Sequence, residues 1–125
     1  MRNRPGFDPE RLAWLKGDDP AALDVILCDF QASLPGHARS IVQLIETGDS
    51  AAACVELHQL RGVAGNVGAT ALQEACQALE DALKRGPVPG PDLLEDWSKI
   101  YEQTLSALRD LQAHRLAADR EDESV

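Results

Sequence analysis

The sequence predicts an all-α protein, and three observations lead to that prediction. The chain has 125 residues, close to the usual size of one domain. Hydrophobic residues make up 44% but aromatic residues only 4%, and the apolar set is dominated by Ala and Leu, which favour helices over strands. Helix start and stop signals recur along the chain. We therefore predict an antiparallel four-helix bundle with a short additional N-terminal helix, spanning residues 8–116.

The first two helices each begin at an Asp-Pro pair. Asp8-Pro9 is typical of an N-cap followed by proline at the first helical position, and this helix ends at Gly17. Asp19-Pro20 repeats the signal, and apolar residues then recur at helical spacing until Gly48. Pro35-Gly36 lies inside this long second helix and predicts a kink or a brief break.

The third helix is predicted from Asp49 or Ser50, either of which can cap it, to about Val67, with Gly68 as its stop. At about 100° per residue, one narrow stripe of this helix is apolar and should face the core. The stripe consists of Ala53, Leu57, Leu60, Ala64 and Val67.

The last two helices are separated by a segment rich in proline and glycine. Thr70 followed by Gln73 predicts a capping box for the fourth helix, which should end at Gly86. Residues 86–91 should form a tight, stiff connection. The fifth helix then begins around Pro91-Asp92, with a buried stripe of Leu94, Trp97, Tyr101, Leu105, Leu108 and Leu111. Residues 117–125 contain four acids, one base and little to bury, so we predict a disordered acidic tail.

Charge and cysteine content exclude several classes of function. Twelve basic and 21 acidic residues give a net charge of −9, the wrong sign for binding nucleic acid or an anionic membrane. The chain has no membrane-spanning apolar run and no secretory segment at its start, so we expect a cytoplasmic protein. Cys28, Cys54 and Cys76 are an odd number without a Cys-x-x-Cys pair, which predicts reduced thiols rather than disulfides or a zinc cage.

The third helix carries the candidate chemistry. His58 lies roughly 140° from the centre of the apolar stripe and should face solvent. Cys54, Arg61, Gly62 and Gly65 lie on the same side. A neutral, exposed imidazole offers a ring nitrogen as a nucleophile toward phosphorus, and a guanidinium one turn away can pair with phosphoryl oxygens.

The two glycines beside His58 have two interpretations. Each costs about 1 kcal/mol relative to alanine inside a helix. Gly62 and Gly65 either keep the surface flat so that a partner reaches the imidazole, or let a neighbouring helix pack closely. The helical geometry favours the first interpretation because both positions point with His58 and away from the core stripe.

The segment 57–69, LHQLRGVAGNVGA, resembles the signature of histidine-containing phosphotransfer (HPt) domains, His-x-Leu-Lys-Gly followed by small residues. Residues 72–80, LQEACQALE, look like the next helix of that family, and the resemblance extends from about residue 12 to 111. It implies that His58 accepts a phosphoryl group from a receiver-domain aspartate and passes it to another receiver. Arg61 would be the phosphate-side cation in place of the commoner Lys, and Gly62 the clearance position.

The resemblance also implies partners and further site residues. Receiver domains and a hybrid sensor kinase would be the partners of a carrier that is not itself an enzyme and needs no cofactor, and we expect a monomer. Glu80 takes the position that often holds Gln or Glu near the histidine, with Gln77 as another polar candidate. Candidates for partner docking are Cys54, Val55, Gly65, Gln77 and Glu80.

Two other hypotheses about the function remain open. Cys54 and His58, at i and i+4, have a spacing that permits a shared metal ion, but a third ligand from Cys76, His37 or His114 would have to converge, and we predict no metal site. Alternatively, the bundle binds receivers as a scaffold without phosphotransfer. An autonomous enzyme is disfavoured because no phosphate-binding glycine loop or catalytic triad is readable.

Overall fold

The structure is a computed structural model that describes the backbone of residues 6–86 and 91–123, with side chains over 6–86 and 92–115. It contains five helices and, over those residues, no strand, so the all-α prediction is confirmed. The helices are α1 (Pro9–Lys16), α2 (Pro20–Glu46), α3 (Ser50–Asn66), α4 (Thr70–Arg85) and α5 (Pro91–Glu123). None of the described helices combines the length and hydropathy needed to cross a membrane.

Helices α2 to α5 form the predicted antiparallel bundle. Each contacts the next along the chain, and α5 contacts α2 to close the ring. The connections at 47–49 and 67–69 are short, which places successive helices antiparallel. The short α1 packs on α2 and is tied to the turn after α3, where the Asp8 amide donates to the Gly68 carbonyl at 2.8 Å and Arg11 Nε donates to the Asn66 carbonyl at 2.9 Å.

The core lies inside this ring and consists mainly of leucines. The apolar stripe predicted for α3 is buried throughout, which fixes the rotation of that helix. From α5, Trp97 stacks on Tyr101 with ring centroids 5.9 Å apart, and its indole nitrogen donates to the Cys76 sulfur at 3.4 Å. The largest fully buried side chains are Trp97, Leu27, Leu34, Ile41, Leu57, Leu60, Leu72, Leu79, Leu108 and Cys76.

Three helices begin at the predicted caps, and one does not. The side chains of Asp8, Asp19 and Asp49 accept hydrogen bonds from backbone amides of the first turns of α1, α2 and α3. The capping box predicted at the start of α4 is wrong, because Thr70 is already helical and Ala69 is the N-cap without a side-chain hydrogen bond. Ala69 is buried, and its amide donates to the Ala64 carbonyl at 2.8 Å. The tight turn after α3 therefore sets where α4 begins.

Helix α2 is unbroken at Pro35, so of the kink or brief break that the Pro-Gly pair predicts, the break is absent and the kink stays a prediction. A proline inside a helix costs about 3 kcal/mol. Leu34 and Ile41, on either side of it, are fully buried, and burial of such a side chain contributes roughly 1.5–3 kcal/mol. Packing on both sides of Pro35 therefore offsets the lost hydrogen bond.

Helix α5 also differs from its prediction at the C-terminal end. Its backbone is helical through residues 117–123, where the sequence predicts a disordered tail. Arg115 anchors the helix to the start of α2, with Nε donating to Asp24 Oδ1 at 2.7 Å and Nη2 to the Pro20 carbonyl at 3.0 Å. No glycine or proline follows Pro91 to stop the helix. The stiff connection predicted at 86–91 lies largely outside the described residues, which exclude 87–90.

Candidate functional site

His58 lies on the exposed face of α3, as predicted. Its side chain is 63% exposed, whereas Leu57 and Leu60, on the other side of the helix, are fully buried. Because those leucines fix the rotation of α3, the imidazole is held toward solvent by the packing of the core. A partner therefore has access to the ring without any rearrangement of the bundle.

Arg61 engages one nitrogen of that imidazole. Its Nη2 lies 2.8 Å from His58 Nδ1. A guanidinium can only donate hydrogen bonds, so Nδ1 is the acceptor and a neutral ring carries its proton on Nε2. Nδ1 is therefore the nitrogen turned toward the protein, and Nε2 is the nitrogen left for a partner.

Glu80 of α4 lies beneath this pair as a buried carboxylate. Its side chain is only 5% exposed, with Oε2 3.9 Å from His58 Nδ1 and Oε1 3.8 Å from Arg61 Nη1. The closest cation is Lys84, one turn further along α4, whose Nζ lies 3.0 Å from Oε2. Oε1 is buried and has no hydrogen-bond partner. A buried oxygen without a hydrogen bond is costly, and Oε1 is available to accept one from a donor on α3.

Of the two polar candidates on α4, Glu80 lies beside the imidazole, whereas Gln77 is engaged within its own helix. The Gln77 amide donates to Asp81 Oδ1 at 2.9 Å, so it is held by a neighbour on its own helix. The other α3 candidates lie beside His58. Cys54 and Val55 line a shallow groove with His58, Gln59, Glu80 and Lys84, and Val55 is 57% exposed.

The three cysteines are free thiols, and only Cys54 lies at the site. Burial raises the pKa of the Cys54 thiol, and the nearby Glu80 carboxylate acts in the same direction. The group therefore stays protonated and weakly nucleophilic. Its Sγ lies 3.8 Å from the Glu80 carbonyl oxygen, toward which the S–H points.

The two glycines beside His58 have different surroundings. A Cβ at Gly62 would meet nothing within 4 Å, so that position is open to a partner. A Cβ at Gly65 would lie 2.7 Å from Gln73 Nε2. The Gln73 side chain of α4 therefore occupies the space beside Gly65, whereas the open surface predicted for both glycines is found at Gly62.

Among the described residues, the hypothetical metal site at Cys54 and His58 has no third ligand. In the described portion of the chain, no group of three or more His, Cys, Asp or Glu side chains is arranged to hold a metal ion. Cys76 is buried in the core. His37 Nδ1 lies 3.4 Å from Glu56 Oε2, and His114 lines a groove between α1 and α5.

Lys84 is a site residue that the sequence pattern did not single out. Its signal was present, because Glu80 and Lys84 stand at i and i+4 on one helix, a spacing that places them side by side. Such pairs are common on solvated helix faces. The packing of α4 against α3 is what places this one at His58.

These features define a helical bundle that presents an exposed imidazole beside a guanidinium and a buried carboxylate. The chain belongs to the Hpt domain family, whose family model matches residues 25–118, and the family's role is histidine phosphotransfer in two-component signalling. No curated protein matches the chain. Among solved structures, it resembles the histidine-containing phosphotransfer protein B (HptB) of Pseudomonas aeruginosa PAO1 in fold, with a TM-score of 0.79 and 24% identity over 90% of this chain and 98% of that chain.

Proposed function

We propose that the protein is a phosphorelay intermediate in which His58 accepts a phosphoryl group from a receiver-domain aspartate and passes it to another receiver. The observation that carries this proposal is the His58 environment. The imidazole is 63% exposed, Arg61 lies 2.8 Å from its inner nitrogen, and the surface at Gly62 is open. The family membership supports the same reaction.

In this reaction, the lone pair of Nε2 attacks the phosphorus. A nitrogen–phosphorus bond forms, the acyl phosphate's phosphorus–oxygen bond breaks, and its electron pair returns to the aspartate carboxylate. The Nε2 proton must first leave, and it moves through solvent to Nδ1 when Arg61 turns from Nδ1 to the phosphoryl oxygens. Nδ1 then donates toward the Glu80 carboxylate, 3.9 Å away in the resting arrangement. Glu80 thus acts as a positioning residue that orients the phosphorylated ring through Nδ1.

The partners in this proposal are receiver domains and a hybrid sensor kinase. A receiver supplies the aspartate and its divalent metal, so this chain acts as a carrier without catalytic activity or a cofactor of its own. We further propose that it works in the cytoplasm as a monomer. With a net charge of −9, it gains little long-range attraction toward the acidic pocket of a receiver, so docking depends on shape and apolar contact.

The test is phosphotransfer from phosphorylated receivers to the wild type, His58→Gln, His37→Gln and His114→Gln. We expect acid-labile label on the wild type and on the last two variants, which keep His58, and none on His58→Gln. Label that persists in His58→Gln would overturn the assignment. A wild type that binds receivers but accepts no label from any of them would support a scaffold without phosphotransfer.

A further inference from the structure

Lys84 is a second cation at the site, on the opposite helix from Arg61. Its ammonium lies 3.0 Å from Glu80 Oε2, the same oxygen that lies 3.9 Å from His58 Nδ1. Its side chain is 61% exposed and lines the groove that contains His58. A hydrogen bond to Glu80 is the main cause of the raised pKa of Lys84, so the ammonium stays protonated at neutral pH.

The phosphorylated state poses a problem of charge. A phosphoryl group brings about −1.5 to −2 charges at pH 7, and it would be attached to a ring whose inner nitrogen lies 3.9 Å from the buried Glu80 carboxylate. Like charges at such distances repel strongly where water is scarce. Arg61 is one cation and has to serve the phosphoryl oxygens, so Glu80 needs another partner.

Apart from the ring N–H of His58 itself, 3.9 Å away, the other titratable groups around Glu80 do not supply that partner. Burial raises the pKa of both Cys54 and Cys76, so these thiols are neutral. Asp81 on α4 is negative and is held by the Gln77 amide. Of the cations on α3 and α4 that reach Glu80 in the described structure, Arg61 is at 3.8 Å and Lys84 at 3.0 Å.

We infer that Lys84 is a positioning residue for phosphoryl transfer, which compensates the charge of Glu80 so that His58 can hold a phosphoryl group beside a buried carboxylate. This inference rests on the proposed function of His58. Lys84 acts through Glu80, because its close contact is with that carboxylate. Its removal leaves Glu80 facing the phosphoryl group with Arg61 alone.

The test uses the full chain and a receiver domain that exchanges phosphoryl groups with the wild type. The measured quantity is the ratio of phosphorylated protein to phosphorylated receiver once it becomes constant. This equilibrium ratio does not depend on how tightly the two proteins dock, so it separates stabilisation of phosphohistidine from a docking effect. For Lys84→Met we expect the share on His58 to fall about threefold to tenfold, the size of one screened charge interaction.

Three further variants sharpen the result. Lys84→Arg keeps the charge and should retain the wild-type ratio. Lys99→Met is the matched control. Lys99 forms an i,i+4 ion pair with Glu95 over 3.5 Å and has a similar exposure of 64%, but it does not line the His58 groove. The phosphorylation ratio of this variant should equal that of the wild type. In a Glu80→Gln background, Lys84→Met should cause no further loss.

The outcomes distinguish this inference from the proposal on which it rests. Equal ratios for the wild type and Lys84→Met, with His58 labelled in both, would overturn the role of Lys84 and leave the phosphorelay proposal intact. A loss that persists undiminished in the Glu80→Gln background would also overturn it, since Lys84 would then act without Glu80. A wild type that no receiver labels would be a failure of the proposed function itself.

Discussion

Replacing Gly62 by Gln separates the stability of α3 from its accessibility. A Cβ at Gly62 meets nothing within 4 Å, so the side chain enters open space without a clash. Glycine inside a helix costs about 1 kcal/mol relative to alanine, and Gln is a good helix former. We therefore expect the free energy of unfolding to rise by about 0.5–1 kcal/mol, which corresponds to a Tm increase of roughly 2–5 °C for a domain of this size.

The same substitution should slow phosphotransfer. Position 62 is one helical turn from His58, where Cβ atoms are about 5–6 Å apart, so the Gln side chain occupies the space that a receiver needs. Misplacement of reacting groups by about 1 Å can cost a hundredfold in rate, and we expect a loss of at least about tenfold. A time course of quenched reactions with a phosphorylated receiver measures the rate of phosphotransfer, and thermal unfolding measures the stability.

Gly62→Ala is the matched control for this experiment. It gives the helix the same or a slightly larger gain in stability, about 1 kcal/mol, but adds only a methyl group. Its phosphotransfer rate should stay within about threefold of the wild type, by the smaller bulk that it presents. A stable Gly62→Gln protein that accepts phosphate at the wild-type rate would refute the clearance argument.

Two further predictions concern the core. Leu57→Ala should lower the free energy of unfolding by about 2–5 kcal/mol, because Leu57 is fully buried. Val25→Ala, at a 60% exposed site, should change it by less than about 0.5 kcal/mol. Equal losses for the two variants in chemical denaturation would contradict the assigned core. At pH 8 an alkylating reagent should label the exposed Cys28 in the native protein but reach Cys76 only after unfolding, because burial raises the pKa of Cys76 to about 11 and leaves little thiolate. Rapid native labelling of Cys76 would show that α4 opens or is packed otherwise.

Much of the fold follows from local signals in the sequence. Asp8, Asp19 and Asp49 cap their helices because a carboxylate before a helix satisfies amides that have no partner within it. The exposure of His58 follows from the rotation of α3, which the apolar stripe alone determines. These features need only the period of a helix and the preference of apolar side chains for the interior.

The errors arise where tertiary contacts decide the outcome. Local chemistry predicts a cap at Thr70 and a kink or break at Pro35, but the turn after α3 overrides the cap, and the burial of Leu34 and Ile41 keeps α2 unbroken. Gly65 looks like Gly62 on a helical wheel, yet Gln73 of α4 fills the space beside it. Which positions on a helix surface are free depends on the helix that packs against it, and local patterns in a single sequence do not reveal that packing.

The arginine in place of the commoner lysine has a physical consequence at this site. A lysine ammonium is a compact point charge, whereas the planar guanidinium holds its N–H donors in a fixed geometry, and its two terminal nitrogens can face different partners. In Arg61 one of these, Nη2, lies 2.8 Å from His58 Nδ1 while the other, Nη1, lies 3.8 Å from Glu80 Oε1. The side chain thus holds the imidazole at rest and lies next to the carboxylate oxygen that has no hydrogen bond. In the proposed reaction Arg61 turns to the phosphoryl group, so Glu80 loses this neighbour but keeps Lys84. On this proposal the site needs a cation on each of the two helices.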